Sequence, residues 1–363
     1  MGVDSGCSRD KQCAIFLVGT SRSGTALVQA ILNNTDVQLT GETHYFDDLR
    51  VKMGPACKMP LNTEERQRCE NYFLALTHRP YGHGGDPAKG WMNREELRAL
   101  AQELGPGSDA YFEAFCRLQA NRREKIRWGE KTPRHVFRLK ELLTLYPSGQ
   151  VICMVRDPRA VVASYRDWRN QGGFDFEVDP GHAETVRKDE IRSSRSYHIL
   201  IASILWRSTI SAATRARQQF GEDRVFIQRY EDLVLEPEAA TKRLVEWLNI
   251  EYHPALLNVP LHNSSVFKFD AHRGVTRDAI DSWRTRLSNA EIGVIETCCG
   301  SALRDMGYER VTKRPMLGPL VAAWFTLPFA AIRAAKANRS RIGNLMSYVY
   351  VRLRLALLSG HSR

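Results

Sequence analysis

The 363-residue chain has no CxxC pair and no Cys/His cluster at zinc spacing; its eight cysteines stand apart at 7, 13, 57, 69, 116, 153, 298 and 299. That pattern excludes the usual signatures of a structural zinc site, and no metal is expected. The opening stretch MGVDSGCSRDKQC lacks an apolar core, so no secretory signal is read in it. A reducing, cytoplasmic setting is the expectation. There Cys153, inside an apolar strand, is a buried free thiol, whereas Cys57 and Cys69 are a candidate pair if the chain were exported by another route.

Acid is missing from the C-terminal stretch. Residues 310–363 hold ten Lys or Arg and no Asp or Glu, leaving 42 basic against 41 acidic groups in residues 1–309. The net charge of +11 therefore belongs to the tail, and a nucleic-acid-binding body is not indicated. With 43% hydrophobic and 26% charged residues the chain has enough apolar side chain for a real core, and it shows no internal repeat. Two parts are expected: a domain over 1–309 and a basic helical tail over 310–363.

A lysine is also missing, from the segment FLVGTSRSGTALVQAIL at 16–32. A strand-like run reaches Gly19, Gly24 follows, and an apolar stretch at helical spacing begins. A P-loop nucleotidase would carry Lys next; here Thr25 stands there, and the nearby cation is Arg22, inside the loop. Such a strand-to-helix turn aims backbone N–H groups at one point, and the helix N-terminus adds partial positive charge. Ser21, Ser23 and Thr25 add hydroxyls. The bland alternative is an ordinary turn between a strand and a helix. Further on, the apolar strand QVICMV runs into Arg156 before Asp157, so a cation stands where a nucleotidase needs a magnesium-holding carboxylate. Pro158 suits the first turn of a helix, which puts Arg156 at the strand end and Ser164 two turns along, with Ala160, Val161 and Val162 as packing residues.

Strands are expected at 14–18, 150–155 and 224–228, and a further one over VQLTG at 37–41. Helices are expected at 24–34, 64–77, 94–104, 108–121, 134–146, 158–169, 197–220, 237–248, 278–287 and 289–306. This order predicts an α/β fold, a P-loop-like central parallel sheet flanked by helices. The Gly- and acid-rich stretch 170–184 reads as a surface loop or a lid. Residues 317–332 carry no charge but hold Pro319 and Pro328, and the run is short for a membrane span.

SRSGT after a strand, followed downstream by RDPRAVVAS, resembles the sulfotransferases that use 3′-phosphoadenosine-5′-phosphosulfate (PAPS) as sulfonate donor. GETHYF, WGEKTPRH and YEDLVLEP extend the resemblance over about 14–308. It is closer to tyrosylprotein sulfotransferases and bacterial relatives, with an arginine in the loop, than to cytosolic small-molecule enzymes. The resemblance implies the sulfotransferase fold and a metal-free transfer. Ser21, Arg22, Ser23, Gly24, Thr25 and Ala26 would cradle the 5′-phosphosulfate, Arg156 and Ser164 would grip the 3′-phosphate, and Tyr230 would pack near adenine or serve as a core tyrosine. Glu42 would be the general base, with His44 the alternative because the family's adjacent pair of glutamates is Glu42 and Thr43 here. Arg22 and Lys131 would stabilise the leaving side, and Glu130 would orient Lys131 or cap the following helix. Ser264, Arg273 and Arg277 are late donor-binding candidates, and Trp283 is expected in the core.

The acceptor stays open among a lipid, a glycan, a small molecule and a protein tyrosine. The tail suggests peripheral contact with an anionic membrane through 317–359; helices packed on the body with solvated arginines are the alternative. The rival classes are a P-loop kinase or nucleotidase, and a non-catalytic membrane-binding protein with a degenerate nucleotide fold.

Overall fold

The runs IFLVG and QVICMV are apolar at nearly every position, as strands covered on both faces must be. In the computed structural model, which describes residues 14–79, 85–167, 180–259, 279–313 and 316–339 together with 275, 277, 346, 349–351, 353 and 354, these runs are the central strand of a five-stranded parallel sheet and its neighbour. The strands are β1 (Ile15–Gly19), β2 (Val37–Thr40), β3 (Arg127–Lys131), β4 (Gln150–Val155) and β5 (Val225–Arg229), in the order β2-β3-β1-β4-β5.

Strand periodicity sends alternate residues to two cores. Phe16, Val18, Val151 and Cys153 join Tyr45, Phe112 and Trp128 on one face. Ile15, Leu17, Ile152 and Met154 join Val28, Ile31 and Leu244 on the other. A third cluster sets Ala160, Val161 and Val162 against Trp206 and Trp283. Among the described residues six cysteines are free thiols, Cys57, Cys69 and Cys153 included.

Helix α1 (Thr25–Asn33) follows β1, and α2 (Ser108–Arg122) packs on β2 and β3. Helix α3 (Pro158–Asp167) follows β4. Two helices, α4 (Pro180–Ser196) and α5 (Ile199–Phe220), lead to β5, and α6 (Tyr230–Leu235) follows it. Beyond lie α7 (Asn289–Cys299) and α8 (Leu317–Ala337).

Several expectations change. Residues 180–184 are not loop but the start of α4, with Pro180 in its first turn; residues 170–179 lie outside those described. The helix expected at 278–287 is reduced to the turn Trp283–Arg286, although Trp283 is buried as expected. The 134–146 segment divides into a 3-10 turn, Pro133–Arg138, and a helix, Leu139–Leu145. The 289–306 segment breaks at Gly300, whose φ of 56° ends α7. Strand β3 has no counterpart in the sequence reading.

The chain leaves β1 for β2 and β3 on one side and returns to β4 on the other. Parallel sheets bind ligands outside the carboxyl ends of their strands at such a switch point. Gly19, Glu42, Lys131 and Arg156 all stand at or just beyond those ends.

Candidate functional site

Gly19 is required where it stands. Its φ is 140°, and a Cβ there would lie 2.3 Å from the Met154 carbonyl oxygen, so only glycine lets β1 and β4 pair up to the turn. The loop then takes two left-handed residues, Arg22 with φ 74° and Gly24 with φ 89°. That conformation costs a non-glycine residue about 1–2 kcal/mol, so the Arg22 backbone is held by its surroundings. No side chain caps α1, whose N-cap is Gly24; Leu27 N already donates to the Gly24 carbonyl at 3.0 Å, so the Thr25 and Ala26 N–H groups are the ones that face the loop without intrahelical partners. The buried Ser23 hydroxyl donates to the Thr20 carbonyl and Thr25 is buried behind it, while Ser21 and Ala26 are half-buried at the rim.

Two distant segments meet at this loop. Arg156 donates from Nη1 to the Arg22 carbonyl at 3.1 Å, and Arg22 donates from Nε to Ser164 Oγ at 3.0 Å. Arg156 also donates from Nη2 to the Ala279 carbonyl at 2.7 Å, and its guanidinium lies 4.4 Å over the Tyr230 ring. Trp206 Nε1 holds the Arg156 carbonyl at 2.8 Å. Among the described residues Arg156 has no carboxylate partner, and its buried Nε has no hydrogen-bond partner. A cation held by carbonyls and a ring, with a buried donor to spare, suits an anion. The Tyr230 ring also packs on Gly24, where a Cβ would come within 2.4 Å of Cδ2. The cradle and the Arg156 cation therefore share one wall.

Beside it lies a carboxylate and an ammonium. Lys131 Nζ, from the end of β3, donates to Glu42 Oε1 at 2.9 Å, and His44 Nε2 lies 3.5 Å from Glu42 Oε2. Both expected bases thus sit together. Glu130, wholly buried, accepts from Thr43 N at 3.0 Å and Thr43 Oγ1 at 2.8 Å, from Thr132, and faces His135 Nδ1 at 3.1 Å. It fastens the segment carrying Glu42 to β3, a role beyond the two expected of it. Burial would push its carboxyl up, but His135, Thr132 and the Thr43 amide hold it below the usual carboxylate range. Below this, Asp47 accepts from Arg134 Nε at 2.9 Å and Arg138 Nε at 3.1 Å. Burial works against its ionised form, yet Arg134, His135 and Arg138 bring its pKa down to about 2.

The candidate residues divide accordingly. Arg22, Gly24, Arg156, Ser164 and Tyr230 meet at the loop, and Glu42, His44 and Lys131 meet at the neighbouring strand ends. Ser164 reaches Arg22 through its hydroxyl. Arg277 is exposed and donates to the Leu235 carbonyl at 2.7 Å, at the opposite end of α6 from Tyr230. Ser264 and Arg273 lie outside the described residues. The Ala279 carbonyl was not foreseen, since a backbone contact across more than a hundred residues leaves no mark in side-chain type.

A sequence model described as "Sulfotransferase family" matches residues 14–254, and the chain belongs to that family. It is similar to mouse (Mus musculus) carbohydrate sulfotransferase 4, 26% identical over 197 residues that cover 50% of each chain. It is also similar to Danio rerio carbohydrate sulfotransferase 1, 27% identical over 180 residues, 45% of this chain and 39% of that one. The chain thus spans no more than about half the length of these curated relatives. A solved sulfotransferase domain from the Synechococcus PCC 7002 olefin synthase matches 79% of this chain and 96% of its own, at 18% identity and a TM-score of 0.45.

Proposed function

We propose that the chain is a sulfotransferase that moves a sulfonate from PAPS to a hydroxyl, most readily that of a sugar. The observation that carries this reading is the junction of Arg22, Arg156 and Ser164, which joins the loop after β1 to the segment after β4 beside the Glu42–Lys131 pair. Family membership supports the donor, and the names of the carbohydrate sulfotransferase relatives support the sugar acceptor.

The fit to a doubly phosphorylated nucleotide rests on the open α1 N-terminus, the glycine cradle against Tyr230 and the unpaired buried Nε of Arg156. The first turn of α1 with Ser21, Arg22, Ser23, Gly24, Thr25 and Ala26 would hold the 5′ end, Arg156 with Ser164 the 3′-phosphate, and Tyr230 the base. The bound donor supplies the sulfonate. Glu42 takes the proton from the attacking hydroxyl as its oxygen bonds to sulfur. Arg22 and Lys131 stabilise the negative charge left on the phosphate oxygen when the old sulfur–oxygen bond breaks. Fixed cations serve here where phosphoryl transfer uses magnesium. No observation favours the kinase, nucleotidase or non-catalytic readings.

The test is incubation with sulfur-labelled PAPS and separate glycan, lipid and tyrosine-peptide acceptors. Label on a glycan hydroxyl is expected. Label on none of the acceptors, with magnesium-dependent turnover of a nucleoside triphosphate, would overturn the reading.

A further inference from the structure

Helix α8 is built with its bulky residues outward. The positions that face the body recur at helical spacing as Leu320, Ala323, Leu327, Ala330 and Ala334, mostly small, and the helix packs through them on α4, α5 and α7. The opposite side carries Leu317, Val321, Trp324, Phe325, Phe329 and Ile332, each between 53% and 76% exposed. A helix on a water-soluble surface would show the reverse pattern. An unbroken apolar face of this kind marks a surface that meets something other than water.

What it meets is indicated by charge. An open cavity of about 400 Å³ at the end of this face is lined by Phe329 and Ile332 together with Arg195, Arg333, Lys336 and Ala337. Arg333 is held there by the carbonyls of Arg195, at 2.9 Å from Nε, and Tyr197, at 3.2 Å from Nη2. On α4 the acids Glu184 and Asp189 are paired with Lys188 and Arg192, which leaves a single further acid of that helix, Glu190, against the three cations of the cavity. The sequence from 310 onward holds no acid at all. Large apolar side chains beside clustered cations match the acyl boundary and phosphates of an anionic bilayer.

We propose that this face of α8 seats the protein on the surface of an anionic membrane. The helix, 21 residues and about 31 Å long, is long enough to cross a bilayer. Its inward stripe lies on the body from Leu320 to Ala334, so it lies along the interface. Trp324 and Phe325 enter the acyl boundary while Arg195, Arg333 and Lys336 meet lipid phosphates. The inference stands independently of the donor site.

Flotation of the full chain with vesicles of phosphatidylcholine, alone or mixed with phosphatidylglycerol, tests it. The wild type should float with the mixed vesicles and not with phosphatidylcholine alone, and high salt should release it. Trp324→Ser with Phe325→Ser should abolish flotation with an unchanged melting temperature. Arg195→Ala with Lys336→Ala should weaken binding roughly thirtyfold, the equivalent of about 1 kcal/mol for each cation. Failure to float, equal flotation with both vesicle types, or a dimer in sedimentation that the Trp324→Ser, Phe325→Ser variant abolishes would each overturn the proposal.

Discussion

Lys131 Nζ lies 2.9 Å from Glu42 Oε1, tying the end of β3 to the segment that follows β2. Neither residue is near the other in sequence, and the parallel pairing of β2 with β3, which sets Thr40 beside Glu130, brings them together. A carboxylate and an ammonium therefore sit side by side at the strand ends, next to the loop that carries Arg22.

Glu42→Gln keeps the shape of this pair and removes the carboxylate proposed as the base. Sulfonate transfer should fall by roughly 10²–10⁴-fold in kcat, the usual size of a general-base contribution, with little change in nucleotide affinity. His44→Gln should cost much less. A larger loss at His44 than at Glu42 in steady-state kinetics would reassign the base.

Gly24→Ala tests the shared wall between the loop and Arg156. The new Cβ would stand 2.4 Å from Tyr230 Cδ2, on a backbone whose φ of 89° already disfavours alanine. The Tyr230 ring must move, and it carries the Arg156 guanidinium stacked on it. Affinity for 3′-phosphoadenosine-5′-phosphate should drop roughly 5- to 30-fold, because the free loop relaxes out of a strain of about 1–2 kcal/mol that nucleotide binding must restore. Calorimetry measures it.

Asp47 makes an acid-sensitive contribution to folding. Its folded pKa is about 2 against an ordinary 3.8, so between these values the unfolded chain binds a proton that the folded chain does not. Its contribution of about 2 kcal/mol is present above pH 4 and disappears as pH falls to about 2. Asp47→Asn should lower stability by a similar amount at neutral pH, because Arg134 and Arg138 lose their partner, and should flatten the acid limb of denaturant titrations.

The central strand β1, its neighbour β4 and the loop were legible because their chemistry is local. IFLVG and QVICMV are uninterrupted apolar runs, Gly19 and Gly24 punctuate the first, and Pro158 marks the helix after the second. RWGEK was not recognisable as β3, since it mixes charge with a glycine and only its place between β1 and β2 makes it a strand. Gly129 is needed there because a Cβ would come within 2.2 Å of the Ile15 carbonyl oxygen, which no local pattern reveals. The site divides the same way. Arg22 and Arg156 stood out by residue type within motifs, whereas the Arg22–Ser164 bond, the Ala279 carbonyl and the anchoring of Thr43 by Glu130 depend on tertiary placement.

The most direct measurement is isothermal titration of the protein with 3′-phosphoadenosine-5′-phosphate in magnesium-free buffer, repeated with Arg156→Ala. Micromolar binding by the wild type is expected, with a loss of at least about tenfold in the variant, as removal of a charged hydrogen-bonding partner worth about 1.5–3 kcal/mol requires. No binding by the wild type, or equal binding by both proteins, would contradict the account.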